Sequence, residues 1–214
     1  MKTNPVLIIA LAIGALLVVG GQPPTTHGDE SESGHVSLFD GKSLHGWVTE
    51  NGARFSVRDG LLFVNKGTGW LRSEREYGDF VLKMGFRFLD KEANSGIFVR
   101  TAATSKQDEN GWPDNGYQVQ CMDTIGGERP LATLIPYGAP PYKDKSDLEV
   151  LAKVYHPTGE WNSYEITCTG EKLIVKLNGA VITTATDIKR LRGHIGIQAE
   201  HGRVEFRNIS VKEK

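Results

Sequence analysis

The sequence predicts an all-β protein, an antiparallel β-sandwich of the jelly-roll type. Short segments in which apolar and polar residues alternate follow one another along the chain, and Gly-containing turns rather than long helical patterns separate them. The chain has 214 residues, of which 39% are hydrophobic. That length allows one well-buried core but would crowd two domains.

The clearest strand is predicted at residues 80–88, where apolar side chains recur at every second position. Two more alternating segments, at residues 163–168 and 173–178, are separated by Thr169-Gly170-Glu171, which is typical of a hairpin turn. Asn178-Gly179 is the strongest short hairpin signal in the sequence. Further strands are predicted at residues 61–64, 195–200 and 204–211. The segments between them at residues 101–116 and 124–156 are long and rich in Gly and Pro, which is typical of loops that are either functional or disordered.

The first 35 residues differ in composition from the rest. Lys2 precedes an apolar stretch at residues 5–21, an order typical of an export signal, although an uncleaved anchor is the alternative. We therefore predict a signal peptide or N-terminal anchor at residues 1–21, a flexible linker at 22–35 and one β-sandwich domain at 36–214. The protein is expected in the periplasm or outside the cell, with membrane contact only through an uncleaved N-terminal segment.

Charge and motif content argue against several classes of protein. The formal net charge of -1 offers no basic field, so no nucleic-acid partner is expected. The sequence has no Walker A, G-x-S-x-G or complete G-x-G-x-x-G motif. Cys121 and Cys168 fall at apolar positions of predicted strands and should be buried. The sequence leaves open whether they form a disulfide or remain two small hydrophobic side chains.

Three predicted strands carry an unusual set of polar residues. Alternation within residues 94–100, 116–123 and 195–201 puts the apolar side chains of each strand on one face. The opposite face then presents Asn94, Phe98, Arg100, Gln118, Gln120, Met122, Gln198 and Glu200, with Asp123 and His201 at the strand ends. Neutral amides are uncommon on a solvated sheet face, and amides with an Arg suit a sugar, whose hydroxyl groups donate and accept hydrogen bonds. The simpler alternative is an ordinary outward-facing polar surface.

Aromatic rings and metal donors complete the candidate site. Rings that can stack on a pyranose are Phe98, Trp112, Tyr137 and Trp161. The sequence lacks H-E-x-x-H and paired C-x-x-C motifs, so a metal site would have to be assembled from separate strands. Asp123, Glu200 and His201 are candidate ligands of a divalent metal ion. The expected partner is a small carbohydrate.

Five short motifs occur in a fixed order along the chain. Residues 37–47 read S-L-F-D-G-K-S-L-H-G-W, residues 94–100 read N-S-G-I-F-V-R, and residues 117–123 read Y-Q-V-Q-C-M-D. G-E-W-N from Gly159 and F-R-N-I from Phe206 follow. Through these motifs residues 36–212 resemble the 3-keto-disaccharide hydrolase family. The resemblance implies a concanavalin-like jelly roll and the hydrolysis of disaccharides or glycosides that carry a ketone at C3.

Such a substrate suggests how the bond would be cleaved. A C3 ketone acidifies the C2 proton, and the glycosidic oxygen on C1 lies β to the carbonyl, so elimination through an enolate followed by hydration is expected. The site needs a base, a positive group or metal at the C3 oxygen, and an acid at the leaving oxygen. Arg100 or a metal would hold the enolate, while His201, Glu200 or Asp123 would move protons. Substrate binding is expected from Asn94, Phe98, Gln118, Gln120, Trp161 and Gln198. Two alternatives are ordinary hydrolysis by two carboxylates and a non-catalytic sugar-binding module on the same fold.

Overall fold

The computed structural model describes residues 34–214 except residues 107 and 109, so the predictions for residues 1–33 lie outside the described residues. Within this part the strands are β1 (Val36–Ser37), β2 (Trp47–Asn51), β3 (Arg54–Arg58), β4 (Leu61–Lys66), β5 (Gly69–Tyr77), β6 (Phe80–Phe88), β7 (Asn94–Thr101), β8 (Gly116–Met122), β9 (Leu134–Tyr137), β10 (Lys143–Ser146), β11 (Asn162–Thr169), β12 (Lys172–Leu177), β13 (Ala180–Thr186), β14 (Gly193–Ala199) and β15 (Val204–Glu213). The helix α1 (Leu148–Val154) lies between β10 and β11.

The strands form two antiparallel sheets. The larger sheet has the order β10-β13-β12-β11-β6-β15-β4-β3, and β1 pairs with β15 at its side. The smaller sheet has the order β2-β5-β14-β7-β8-β9. Apolar side chains from both sheets meet in a single hydrophobic cluster. The predicted antiparallel β-sandwich is therefore confirmed.

Strand β6 shows how the sequence pattern produces this core. Its side chains alternate between buried and partly exposed along all nine residues, as predicted, and Phe80, Phe86 and Phe88 are fully buried. Burying one such side chain contributes about 1.5–3 kcal/mol. Cys121 and Cys168 are also buried in the core, which confirms their predicted environment, and both are free thiols rather than a disulfide.

Tight turns set the register of neighbouring strands. Asn178-Gly179 links β12 to β13 with φ values of 49° and 87°, and Asp59-Gly60 links β3 to β4 with φ values of 51° and 77°. Positive φ at both central residues matches the right-handed twist of the flanking strands, and Asn, Asp and Gly adopt it at little cost. The hairpin predicted at Asn178-Gly179 is therefore confirmed.

The segment from residue 124 to 156 is more regular than the sequence suggests. It contains β9, β10 and α1, whose N-cap residue Asp147 accepts a hydrogen bond from the Val150 amide at 3.0 Å. A seven-residue helix is too short to show a clear helical period, which explains why the sequence pattern missed it. Among the described residues, no helix has the length and apolar character needed to cross a membrane.

Candidate functional site

A cleft of about 680 Å³ lies on the face of the smaller sheet that points away from the hydrophobic core. Asn94 from β7, Gln118 and Gln120 from β8, and Ile135 and Tyr137 from β9 line it. These side chains alternate with core residues along their strands, as the sequence predicts. The predicted polar face is thus the wall of a cleft rather than an open solvated surface.

Three amides form a connected group in this face. Gln118 Nε2 donates to Gln198 Oε1 at 3.0 Å and to Gln120 Oε1 at 3.2 Å. Gln118 and Gln198 are essentially inaccessible, and Gln120 is 5% exposed. Oε1 of Gln118 and Oδ1 of Asn94 are buried acceptors without a hydrogen-bond partner in the described part of the chain. Buried polar atoms are rarely left unpaired, so these two acceptors are suited to the hydroxyl groups of a bound ligand.

Two glycines make room for the large side chains of this face. A Cβ on Gly96 would lie 1.9 Å from Nε2 of Gln118, and a Cβ on Gly196 would lie 2.6 Å from the Trp70 ring. Both distances are far below any real contact. Gln118 and Trp70 can therefore lie across neighbouring strands only because these two positions lack a side chain.

We expect Gly96→Ala to weaken ligand binding by at least about tenfold, which corresponds to 1.4 kcal/mol. The new methyl group displaces Gln118 and breaks its bonds to the other two amides. Calorimetric titration with candidate sugars would measure the loss of binding, and a thermal melt would show that the variant stays folded. Gly78→Ala is the matched control, because its Cβ would make only ordinary contacts at 3.7 Å. Equal binding by the Gly96 and Gly78 variants would contradict the role assigned to Gln118.

Aromatic residues form one side of the cleft. Trp112 and Tyr137 line it with their ring centroids 5.9 Å apart. Phe98 is fully buried and packs edge-on against Trp70 at 5.5 Å and Tyr137 at 5.3 Å. Phe98 therefore packs behind the cleft-lining ring of Tyr137, and the direct stacking on sugar that the sequence predicted for it is corrected.

Glu200, which follows β14, is a carboxyl group in the lining of the cleft. Burial raises the pKa of its carboxyl group above the usual value for Glu, and a hydrogen bond from Asn94 and the charge of His201 act in the opposite direction. A carboxylate with a raised pKa is a stronger base than one in water. Glu128 and Arg129, both exposed, line the cleft from the loop after β8.

Arg100 does not line this cleft, contrary to the prediction. Between Phe98 and Thr101 strand β7 has one residue more than its partner β14, which is a β-bulge, and Arg100 adopts a φ of 52°. A bulge shifts the alternation of side chains by one position. The prediction assumed an unbroken strand and therefore assigned Arg100 to the wrong environment.

The Arg100 side chain is fully buried and forms hydrogen bonds with residues of neighbouring loops. Its Nε donates to the Gly78 carbonyl at 3.0 Å, and Nη1 donates to the Gly170 carbonyl at 2.7 Å. Nη2 forms an ion pair with Asp79 at 2.9 Å. The contacts of Arg100 are therefore structural.

Asp123 and His201 are also outside the cleft lining. The Asp123 carboxylate accepts hydrogen bonds from the Tyr155 and Thr158 hydroxyls and from the Glu92 amide, so it fixes three chain segments. The His201 side chain is exposed, and its backbone bridges β7 by two hydrogen bonds with Asn94. Their nearness to strand ends was predicted correctly, but a strand end does not define which way a side chain points.

The predicted metal ligands Asp123, Glu200 and His201 do not fit a metal ion as a set. Among the described residues, no group of three or more His, Cys, Asp or Glu side chains is placed to hold one. The Asp123 oxygens are already engaged by hydroxyl and amide donors. No catalytic step is therefore assigned to a metal at these residues.

Trp161 directly precedes β11, and its ring packs against the larger sheet. Its ring contacts Arg87 of β6 at 4.7 Å and Arg207 of β15 at 3.8 Å, measured from ring centroid to guanidinium carbon. Arg87 lies between the core residues Phe86 and Phe88, so it points to the outer face of the larger sheet. The predicted role of Trp161 in the same sugar site is therefore corrected.

Sequence reasoning missed Trp70, Glu128 and Arg129. Trp70 is fully buried behind Phe98 and does not line the cleft, and nothing in the local pattern of its strand indicates that contact. Glu128 and Arg129 follow Gly126-Gly127 in a segment that was predicted to be a functional loop. The length of that loop was the available signal, but the fold was needed to show which surface it borders.

The fold and the cleft define the class of this protein as a jelly-roll β-sandwich with a ligand-sized groove on one sheet. Residues 34–212 match the family described as 3-keto-alpha-glucoside-1,2-lyase-like domain. The chain belongs to this family, so the family resemblance seen in the sequence is confirmed. No curated protein matches the sequence significantly.

Solved structures show the same fold. A candidate glycosyl hydrolase from Parabacteroides distasonis is 26% identical with a TM-score of 0.64, covering 84% of this chain and 99% of that one. Another candidate glycosyl hydrolase from the same organism is 17% identical with a TM-score of 0.66, covering 85% and 94%. The carbohydrate-binding module CBM66 from Bacillus subtilis is 16% identical with a TM-score of 0.55, covering 78% and 96%.

Proposed function

We propose that the cleft binds a sugar oxidised to a ketone at C3 and cleaves its glycosidic bond by elimination. Family membership supports a 3-keto-glucoside as the ligand. The observation that carries the proposal is a carboxyl group of raised pKa beside connected, buried amides with unpaired acceptors. Amides suit the hydroxyl groups of a sugar, and the basic carboxylate suits removal of a carbon-bound proton.

In this mechanism Glu200 acts as the base. It removes the proton on C2, and the electron pair of the C–H bond forms an enolate between C2 and C3. The enolate returns to the ketone as a double bond forms between C1 and C2, the C1–O bond breaks, and the leaving oxygen takes a proton. Addition of water across the new double bond completes an overall hydrolysis.

Charged groups in the loop after β8 suit the remaining roles. Arg129 lines the cleft and can stabilise negative charge on the C3 oxygen, the task that the sequence assigned to Arg100. Glu128 lines the same cleft and is the second carboxyl group available to exchange a proton with the leaving oxygen. The distinct surroundings of the partly buried Glu200 and the exposed Glu128 fit two different roles.

The second candidate function is carbohydrate binding without cleavage. The largely neutral amide group and the aromatic pair Trp112 and Tyr137 favour it, because binding alone requires no base. The likeness to CBM66 extends over 78% of this chain but shows the fold only. Glu200 favours the enzyme over the binding module. Its carboxyl group lies where burial disfavours the charged form, which suits a catalytic base but is not needed for binding alone.

A direct assay tests the proposal. Purified protein is incubated with 3-keto-trehalose or 3-keto-lactose, with and without a chelator, and products are followed by mass spectrometry and by the ultraviolet absorbance of the unsaturated ketone. We expect cleavage of the oxidised disaccharides and none of trehalose or lactose, because only the ketone acidifies the C2 proton. Binding of the oxidised sugar without any cleavage would contradict the proposal and establish the binding module instead.

A further inference from the structure

Tyr137 reaches across the smaller sheet within the cleft. It belongs to β9, which ends this sheet and is separated from β14 by β8 and β7. Its ring nevertheless packs against Phe98 of β7, with the ring centroids 5.3 Å apart, and its hydroxyl lies beside the Gln198 amide of β14. The Tyr137 hydroxyl therefore points towards the side of the cleft lined by Glu200, which follows β14.

Packing fixes the direction of the Tyr137 side chain. Besides Phe98, the Trp112 ring lies edge-on to it at 5.9 Å between centroids, and the Lys106 ammonium lies 5.6 Å from its ring centroid. These neighbours come from β7 and from the loop that follows it. A group whose orientation is set by such contacts needs little reordering when a substrate binds.

The Tyr137 hydroxyl carries a proton at neutral pH. Burial raises its pKa to about 12, and the negative charge of Glu200 acts in the same direction. Glu200 itself must be ionised in order to act as the base. Glu128 is exposed, and a carboxyl group in water has no proton to give at neutral pH. Of these three groups in the cleft, Tyr137 is thus the one suited to donate a proton while the base is ionised.

We infer that Tyr137 is a catalytic acid, which gives its hydroxyl proton to the leaving oxygen as the C1–O bond breaks. This inference rests on the proposed function, and it assigns to Tyr137 the role for which Glu128 is the other candidate. The electron pair of the O–H bond stays on the Tyr137 oxygen, which becomes a phenolate. When water adds to C1, the phenolate takes a proton from that water and Glu200 returns its proton to C2, so both side chains regain their starting forms.

The test removes the hydroxyl and keeps the ring with its contacts. Tyr137→Phe is expected to lower kcat for 3-keto-trehalose by roughly 10²–10⁴-fold, the usual contribution of a positioned acid. For 4-nitrophenyl 3-keto-α-glucoside, kcat should change by less than about threefold, because nitrophenolate is a stable anion and leaves without a proton. Tyr142→Phe is the matched control, since the Tyr142 hydroxyl donates to the Leu134 carbonyl at 2.7 Å and the residue does not line the cleft.

A second measurement follows the base alone. The 3-keto form of 1,5-anhydroglucitol has no leaving group, so in heavy water the enzyme can only exchange its C2 proton for deuterium, which NMR spectroscopy detects. Tyr137→Phe should exchange this proton within about threefold of the wild-type rate, because Glu200 is intact. A structural role for Tyr137, by contrast, would slow exchange and cleavage together.

Each outcome decides the inference. A selective loss on 3-keto-trehalose with exchange retained supports it. Equal losses on both glycosides, slower exchange, or full activity in Tyr137→Phe overturn it and leave the proposed function standing. In the last case, a selective loss on 3-keto-trehalose in Glu128→Gln would identify Glu128 as the acid. If wild-type protein cleaves neither glycoside, the proposed function fails and the inference is overturned with it.

Discussion

Replacing Glu200 with Gln is expected to reduce turnover of 3-keto-trehalose by roughly 10²–10⁴-fold, the usual contribution of a positioned base. The amide keeps the size of the side chain but cannot accept the C2 proton. In wild-type protein, kcat/KM should rise with pH through the raised pKa of Glu200, above the usual value of about 4.3 for Glu, and this step should vanish in the variant. Steady-state kinetics over a range of pH would measure both effects.

Measurements of folding stability and of substrate binding show whether Glu200→Gln loses turnover because the chemical step is slower. A raised pKa means that folding favours the protonated carboxyl, so the contribution of Glu200 to stability is present at low pH and is lost as pH rises through the pKa of the folded state. The variant, which is neutral at every pH, should therefore be no less stable than wild type near neutrality. Binding of the substrate should persist. Full turnover by Glu200→Gln would remove this residue from the mechanism.

Replacing Arg100 with Met should cost about 2–4 kcal/mol of folding free energy, because buried carbonyl groups lose their donors while Asp79 can still reach water. For a domain of this size that is a fall in melting temperature of roughly 5–15 °C. Thermal and urea unfolding would measure it. Sugar binding by the remaining folded protein should be unchanged.

The control for Arg100 is another Arg–carboxylate pair. Arg203 bonds to Asp90 through Nη2 at 2.6 Å, but 54% of the Arg203 side chain is exposed. Arg203→Met should therefore destabilise far less, since exposed pairs are screened by water. If Arg100→Met kept full stability and lost sugar binding, the placement of Arg100 at the cleft predicted from sequence would be correct and the assignment made from the structure wrong.

The sequence predicted the fold well because alternating burial is a local property. In β6 every predicted core position is buried, and the strands that carry Gln118, Gln120 and Gln198 have the predicted faces. Period-two patterns fix which face a residue occupies wherever a strand is regular. The composition of the polar face, with amides in place of the usual charged residues, is what predicts a sugar ligand.

The alternating pattern predicts the wrong side-chain environment where a strand is irregular or ends. The bulge before Thr101 moved Arg100 out of the cleft, and no residue in that segment signals a bulge in the sequence. Asp123 and His201 sit just past strand ends, where alternation no longer applies. Arg129 reaches the cleft from the loop after β8, where no alternating pattern indicates which surface a side chain borders. Long-range packing, rather than local propensity, determines the environment of these side chains.

The bonds among Gln118, Gln120 and Gln198 mean that their amide groups cannot be oriented independently. Gln118 gives its Nε2 to two neighbouring oxygens, so turning any one amide by 180° would set two donors or two acceptors against each other. The amide groups therefore present their acceptor and donor atoms to a ligand in one fixed arrangement. Sugars that differ only in the direction of one hydroxyl should consequently bind in a nearly all-or-none manner, and substitutions within the three glutamines should show strong non-additivity in double-mutant cycles.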